Sequence, residues 1–111
     1  MSDYRLYVVE LERRVAGNPS FRDENPNRDW SKPCLYVGQS AHTPELRLER
    51  HRADRFSSPF VKRYGLRLRP DIYERYTPIT SRVEAKNQEL LLAVKLRAEG
   101  YGVAPTHLDC V

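Results

Sequence analysis

The stretch YVGQSAHTPELRLERHR, Tyr36 to Arg52, decides how the rest of the chain is read. It opens as a strand: Cys34, Leu35, Tyr36 and Val37 are residues that fill pleated, buried surface, and Gly38 is read as the closing residue. A helix start follows at Thr43-Pro44-Glu45, with a threonine cap, a proline at the first helical position and an acid in the first turn. The helix is expected to reach about Asp54, with Leu46 and Leu48 among its apolar residues. Arg47 and His51, four residues apart, share one face of it.

Working outward, RLYVVEL, Arg5 to Leu11, is a second strand with a tyrosine at Tyr7. Between the strands, residues 12–33 are crowded with Asn, Pro, Asp and Ser, which predicts a long, mobile, irregular loop. The simplest topology pairs the two strands antiparallel across that loop. Ser58-Pro59 opens a shorter helix that Gly65 ends after Tyr64, and Asp71 to Tyr76 reads as a third strand. Ser81 and Glu84 form the capping box of a long helix that Gly100 terminates. Val83, Leu90, Leu91 and Val94 are expected on its core face. Glu89 has Ala85, Lys86, Leu92 and Ala93 one turn away, so its carboxylate lies against largely apolar surface. It needs an arginine, a hydrogen bond or a metal there, unless it reaches water.

The composition bounds the class. A chain of 111 residues, 40% hydrophobic and 31% charged, has room for one domain (residues 1–111) and one core. The expected fold class is α+β, a small three-stranded antiparallel sheet flanked by helices. No apolar run is long enough to span a bilayer, and the start, MSDYRLYVV, lacks the pattern of a secretory signal. The expectation is a cytoplasmic protein with no membrane partner. Cys34 and Cys110 give no disulfide framework, and a zinc site joining Cys34, His107 and Cys110 has only weak spacing support.

Charge is localised. Between Arg47 and Arg69 stand eight basic side chains (Arg47, Arg50, Arg52, Arg55, Lys62, Arg63, Arg67, Arg69) against Glu49 and Asp54. That window carries +6 in a chain of net +4, leaving −2 elsewhere. Such a patch suits a phosphate backbone, and arginine's planar fork suits bidentate phosphate contact. A solvated helical face is the plainer alternative.

Two strands with tyrosines, a helix with Arg47 and His51, and a late helix with Glu89 together resemble the GIY-YIG nuclease superfamily. RLY (Arg5 to Tyr7) stands at the first triplet, YVG (Tyr36 to Gly38) at the second, and EAKNQE (Glu84 to Glu89) at the final-helix segment. The resemblance implies a metal-dependent endonuclease acting on DNA, with RNA left open, and with low or structure-based sequence specificity. It implies Tyr7, Tyr36, Arg47, His51 and Glu89 as catalytic residues, with Glu89 holding Mg²⁺ for which Mn²⁺ can substitute. Tyr7 is the first candidate for general base, with Tyr36 or His51 sharing the role and Arg47 favouring its phenolate. Arg50, Arg52, Arg55, Lys62 and Arg63 would follow the backbone, and a second copy or a protein partner would supply further specificity. The chain departs from the pattern at Arg5 and Leu6, at Gly102 where some members have asparagine, and in the length of its inter-strand loop. The alternatives are an inactive nucleic-acid-binding module of the same fold and a protein-interaction domain. In both, the tyrosines are core residues that do no chemistry.

Overall fold

The computed structural model describes residues 3–53, 58–76 and 78–105, so Asp54, Arg55, His107 and Cys110 lie outside the described residues. The fold is α+β, with a four-stranded sheet flanked by helices. Strands β1 (Arg5–Leu11) and β2 (Cys34–Ser40) form its centre as an antiparallel pair, with Tyr7 opposite Gly38 and Val9 opposite Tyr36. Strand β3 (Gly65–Leu68) runs antiparallel on the free side of β1, and β4 (Gly102–Val103) runs parallel to β2. Val8, Val9, Leu11, Leu35, Val37 and Val103 are buried in this sheet.

Five expectations are corrected. Gly38 does not close β2, which continues to Ser40. The glycine is needed for the aromatic ring that crosses it: a Cβ there would stand 2.5 Å from Cζ and Oη of Tyr7. The third strand is β3, not Asp71 to Tyr76. Pro70 starts a one-turn helix, α4 (Pro70–Tyr73), that buries Tyr73. A fourth, two-residue strand at Gly102–Val103 makes the sheet mixed rather than purely antiparallel.

The inter-strand segment is ordered. It contains a 3₁₀ turn (Arg13–Gly17) and a helix, α1 (Pro19–Glu24), started by Asn18, whose Oδ1 accepts from Phe21 N–H at 3.2 Å. Val15 and Phe21 are fully buried beneath it. Asn25 then acts as an edge-strand substitute. Its Oδ1 accepts from Val103 N–H at 2.8 Å, and its Nδ2 donates to the carbonyls of Val103 (2.9 Å) and Phe21 (2.6 Å). The loop is thereby stitched to β4.

The expected caps form. Thr43 accepts from Leu46 N–H at the start of α2 (Pro44–Arg52), and Ser58 from Phe60 N–H at α3 (Pro59–Tyr64). Ser81 accepts from Glu84 N–H at α5 (Arg82–Ala98), while the Glu84 carboxylate accepts from Gln88 instead of closing the box. Gly100, at φ +98, follows α5 in the left-handed conformation that favours glycine. The fifth correction concerns α5. Ala85, Glu89, Leu92, Ala93 and Leu96 are its buried residues, and Leu90 is half-buried. Val83, Leu91 and Val94 are 73%, 62% and 61% exposed. Small Ala85 and Ala93 let the helix lie close on the sheet, with Leu92 and Leu96 filling the core beside them and Val83, Leu91 and Val94 turned outward.

Candidate active site

Residues two apart on a strand share a face, so Tyr36 and Gly38 point the same way, as does Tyr7 across the ladder from Gly38. The two tyrosine rings lie 6.2 Å apart. Helix α2 brings the fully buried ring of His51 to 6.1 Å from Tyr7 and 5.6 Å, edge-on, from Tyr36. His51 Nε2 is 2.9 Å from Tyr7 Oη, and the two phenols hydrogen-bond to each other.

Proton placement follows from the other side of the imidazole. The backbone N–H of Ser58 donates to His51 Nδ1 at 3.0 Å, so Nδ1 carries no proton. Burial first, and then the charge of Arg47, lowers the His51 pKa to about 4, so the ring is neutral at neutral pH. Its single proton sits on Nε2 and is donated to Tyr7 Oη. Tyr7 in turn has its own proton available for Tyr36. His51 is therefore a hydrogen-bond donor to Tyr7 and is not placed to take a proton from it.

The expectation that Arg47 would favour the phenolate is met in direction only. Arg47 does pull the Tyr7 pKa down, but burial, followed by Tyr36, pushes it well above the ordinary phenol value. Arg47 acts on both Tyr7 and His51 and so belongs to the same cluster.

Glu89 reaches this cluster from α5. It is only 5% exposed, and its carboxylate accepts from the backbone N–H of Gln39, the neighbour of Gly38. Burial raises its pKa, against the opposing effects of Lys86 and the Gln39 amide. Lys86 Nζ lies 2.8 Å from Glu89 Oε2, an ion pair that opposes the rise in the Glu89 pKa. A buried carboxylate can also take a hard cation, which here would compete with Lys86. Among the described residues no group of three or more His, Cys, Asp or Glu could hold an ion. A cation here would have one carboxylate anchor and take its other ligands from water and phosphate, as Mg²⁺ commonly does.

The basic residues divide. Arg67 and Arg69 are engaged by Glu10, and Arg69 also by Asp71. Arg52 donates to the Leu66 carbonyl at 2.9 Å, tying α2 to β3. Arg63 stacks over Tyr64, and Lys62 is exposed beside it on α3. Arg50 is half-buried, with an Nε that has no hydrogen-bond partner. Arg55 lies outside the described residues. Cys34 is a free, fully buried thiol in β2, with its pKa raised by burial.

Sequence reasoning missed Ser58, which acts through its backbone, and the Gln39 amide. Lys86 was visible as a neighbour of Glu89 but not as its ion-pair partner. No family model, no curated protein and no solved structure matches the chain.

Proposed function

We propose that the protein is a divalent-metal-dependent endonuclease of the GIY-YIG kind, hydrolysing phosphodiester bonds in DNA with low or structure-based sequence specificity. The observation that carries this reading is the convergence of Tyr7, Tyr36, His51 and Arg47 on one buried hydrogen-bonded cluster, with the Glu89 carboxylate beside it on the Gln39 amide. These five residues come from β1, β2, α2 and α5, and their proximity supports the reading. A cytoplasmic location is part of the proposal and suits the free Cys34 thiol.

In this mechanism Tyr7 Oη is the general base after releasing its own proton to solvent. Water attacks phosphorus, its proton passes to the Tyr7 phenolate, the bond from phosphorus to the 3′ oxygen breaks, and the departing 3′ oxygen takes a proton from solvent. His51 Nε2–H and the Arg47 charge stabilise that phenolate, and Tyr36 orients the attacking water. Arg47 also grips the phosphate, a contact of a kind whose removal costs ~10²–10³ in rate. Glu89 would hold Mg²⁺, or Mn²⁺, and such an ion would supply charge neutralisation for the developing negative charge. Lys86 must yield its place at Glu89 Oε2 to that ion. Arg50, Arg52, Lys62, Arg63 and Arg55 track the backbone by charge, with affinity that falls as salt rises.

The raised Tyr7 pKa and the Lys86 cation at Glu89 favour a second reading, an inactive nucleic-acid-binding module. The test incubates the protein with supercoiled, linear, branched and single-stranded DNA, with and without Mg²⁺ or Mn²⁺, beside Glu89→Ala. Metal-dependent cleavage lost in the variant supports the enzyme. Salt-sensitive binding by both proteins with cleavage by neither overturns it in favour of the module.

A further inference from the structure

Helix α5 has two apolar faces and the fold uses only one. Opposite the buried set, Val83, Leu91 and Val94 stand 73%, 62% and 61% exposed. With Asn87 and Ala98, both also exposed, they occupy 83, 87, 91, 94 and 98, the spacing of one continuous helical stripe. Seventeen residues make the stripe about 25 Å long. Three large aliphatic side chains in line, on a small globule with one core, form a patch of the kind that marks an interaction surface.

The stripe is complementary to itself. A two-fold axis perpendicular to the helix near residue 89 sets two copies of α5 antiparallel, so that residue i faces residue j where i and j sum to about 178. Val83 then meets Val94 of the second copy, and Asn87 meets its Leu91. A two-fold of this kind also sets the same flank of each helix against the other. One flank of the stripe carries Glu84 and Lys95, both exposed and eleven residues apart. In the antiparallel register Glu84 of each copy falls beside Lys95 of the other, giving two ion pairs of opposite sign at the rim. A parallel two-fold would instead place the Glu84–Lys95 flanks of the two copies on opposite sides of the seam, where they form no such pairs. Asn87, the one polar residue within the stripe, favours a single register at some cost in affinity.

We infer that this face of α5 is a homodimer interface, occupied by the same face of a second copy in antiparallel orientation. Glu89 projects from the opposite side of the helix into the fold, so the pairing leaves the Tyr7–His51–Glu89 cluster uncovered. The inference is independent of the proposed activity. A contact confined to one helix face is at the small end of specific interfaces, so a weak, concentration-dependent dimer is expected.

Sedimentation equilibrium of the whole chain from about 1 to 200 µM tests it, with far-UV circular dichroism to confirm that each variant is folded. The expected result is a monomer–dimer equilibrium reaching twice the 13.0 kDa chain mass. Leu91→Glu, a change at a solvent-facing position of the monomer, is expected to weaken it at least ~100-fold. Glu84→Lys is expected to weaken it about tenfold by placing two like-charged pairs at the rim. Adding Lys95→Glu to Glu84→Lys is expected to restore the wild-type constant to within about threefold. A wild-type chain that stays monomeric at 200 µM overturns the inference. So does a dimer indifferent to Leu91→Glu, or a charge reversal that the second exchange fails to rescue.

Discussion

Gly38→Ala is the sharpest perturbation of the candidate site, because it adds one methyl group and touches one residue. The new Cβ would stand 2.5 Å from Cζ, 2.5 Å from Oη and 2.8 Å from Cε1 of Tyr7. Ordinary carbon contacts begin near 3.5 Å, so the ring must move by about 1 Å. It has little room, being 1% exposed and set between the Tyr36 and His51 rings. Overpacking of this kind costs about 1–3 kcal/mol, and loss of the buried Tyr7–His51 hydrogen bond about 1 kcal/mol more. Exchanging glycine for alanine within a strand returns roughly 0.5–1 kcal/mol. The net expectation is a destabilisation of about 1–3 kcal/mol by urea unfolding. The proposed cleavage activity is expected to fall by about 10², since the Tyr7 oxygen leaves its place by about 1 Å. A double-mutant cycle with Tyr7→Leu isolates the cause, because leucine lacks the atoms that clash. Gly38→Ala should then be close to neutral in the Tyr7→Leu background. An equal cost in both backgrounds, or a cost below about 0.5 kcal/mol in the wild type, would refute the claim that this glycine exists for the ring.

Two further outcomes follow from the buried polar groups. His51 has a folded-state pKa near 4 against about 6.5 unfolded, so the unfolded chain binds the extra proton first. Its contribution is fully present above pH 6.5 and is lost as pH falls towards 4, amounting to about 3 kcal/mol; His51→Gln should flatten that part of the stability–pH curve. Asn25→Ala removes both bonds to Val103 and the one to Phe21, leaving the Val103 amide buried without its acceptor. A loss of about 2–4 kcal/mol in thermal or urea unfolding is expected, with cleavage unchanged once the protein is folded.

The central strands, three helix starts and Gly100 were legible because each rests on local chemistry: β-branched runs, Thr43-Pro44, Ser58-Pro59, Ser81 and a left-handed glycine. Asn18-Pro19 carries the same cap-plus-proline signal as the other two pairs, but the surrounding Asn, Asp and Ser drew the reading towards a mobile loop. What orders that segment is long-range: Phe21 in the core and Asn25 on Val103, 78 residues away in sequence. The third strand failed for a related reason. DIYERY alternates as a strand does, yet Pro70 and the vacant edge of β1 assign the pairing to Gly65–Leu68. On α5 the periodicity was real and its orientation was not readable. A helix with one large-residue face and one Ala-containing face can bury either, and the close approach of β2 selected Ala85 and Ala93.

The candidate site was legible as residue types and order, but its proton chemistry was not. Histidine beside tyrosine invites the reading that the imidazole takes the phenolic proton. That reading fails on one bond, the Ser58 amide on Nδ1, which fixes the ring proton on Nε2 and aims it at Tyr7. No side-chain type announces that bond, because the donor is backbone and any residue but proline at position 58 would supply it. The same bond links the start of α3 to the end of α2, so the helix junction and the protonation state of the site are set together. Burial then holds the Tyr7 proton while Arg47 pulls the other way. A phenol so placed becomes a base only when further positive charge enters beside it. Under the proposed function, the buried carboxylate of Glu89 is the group that would hold that charge.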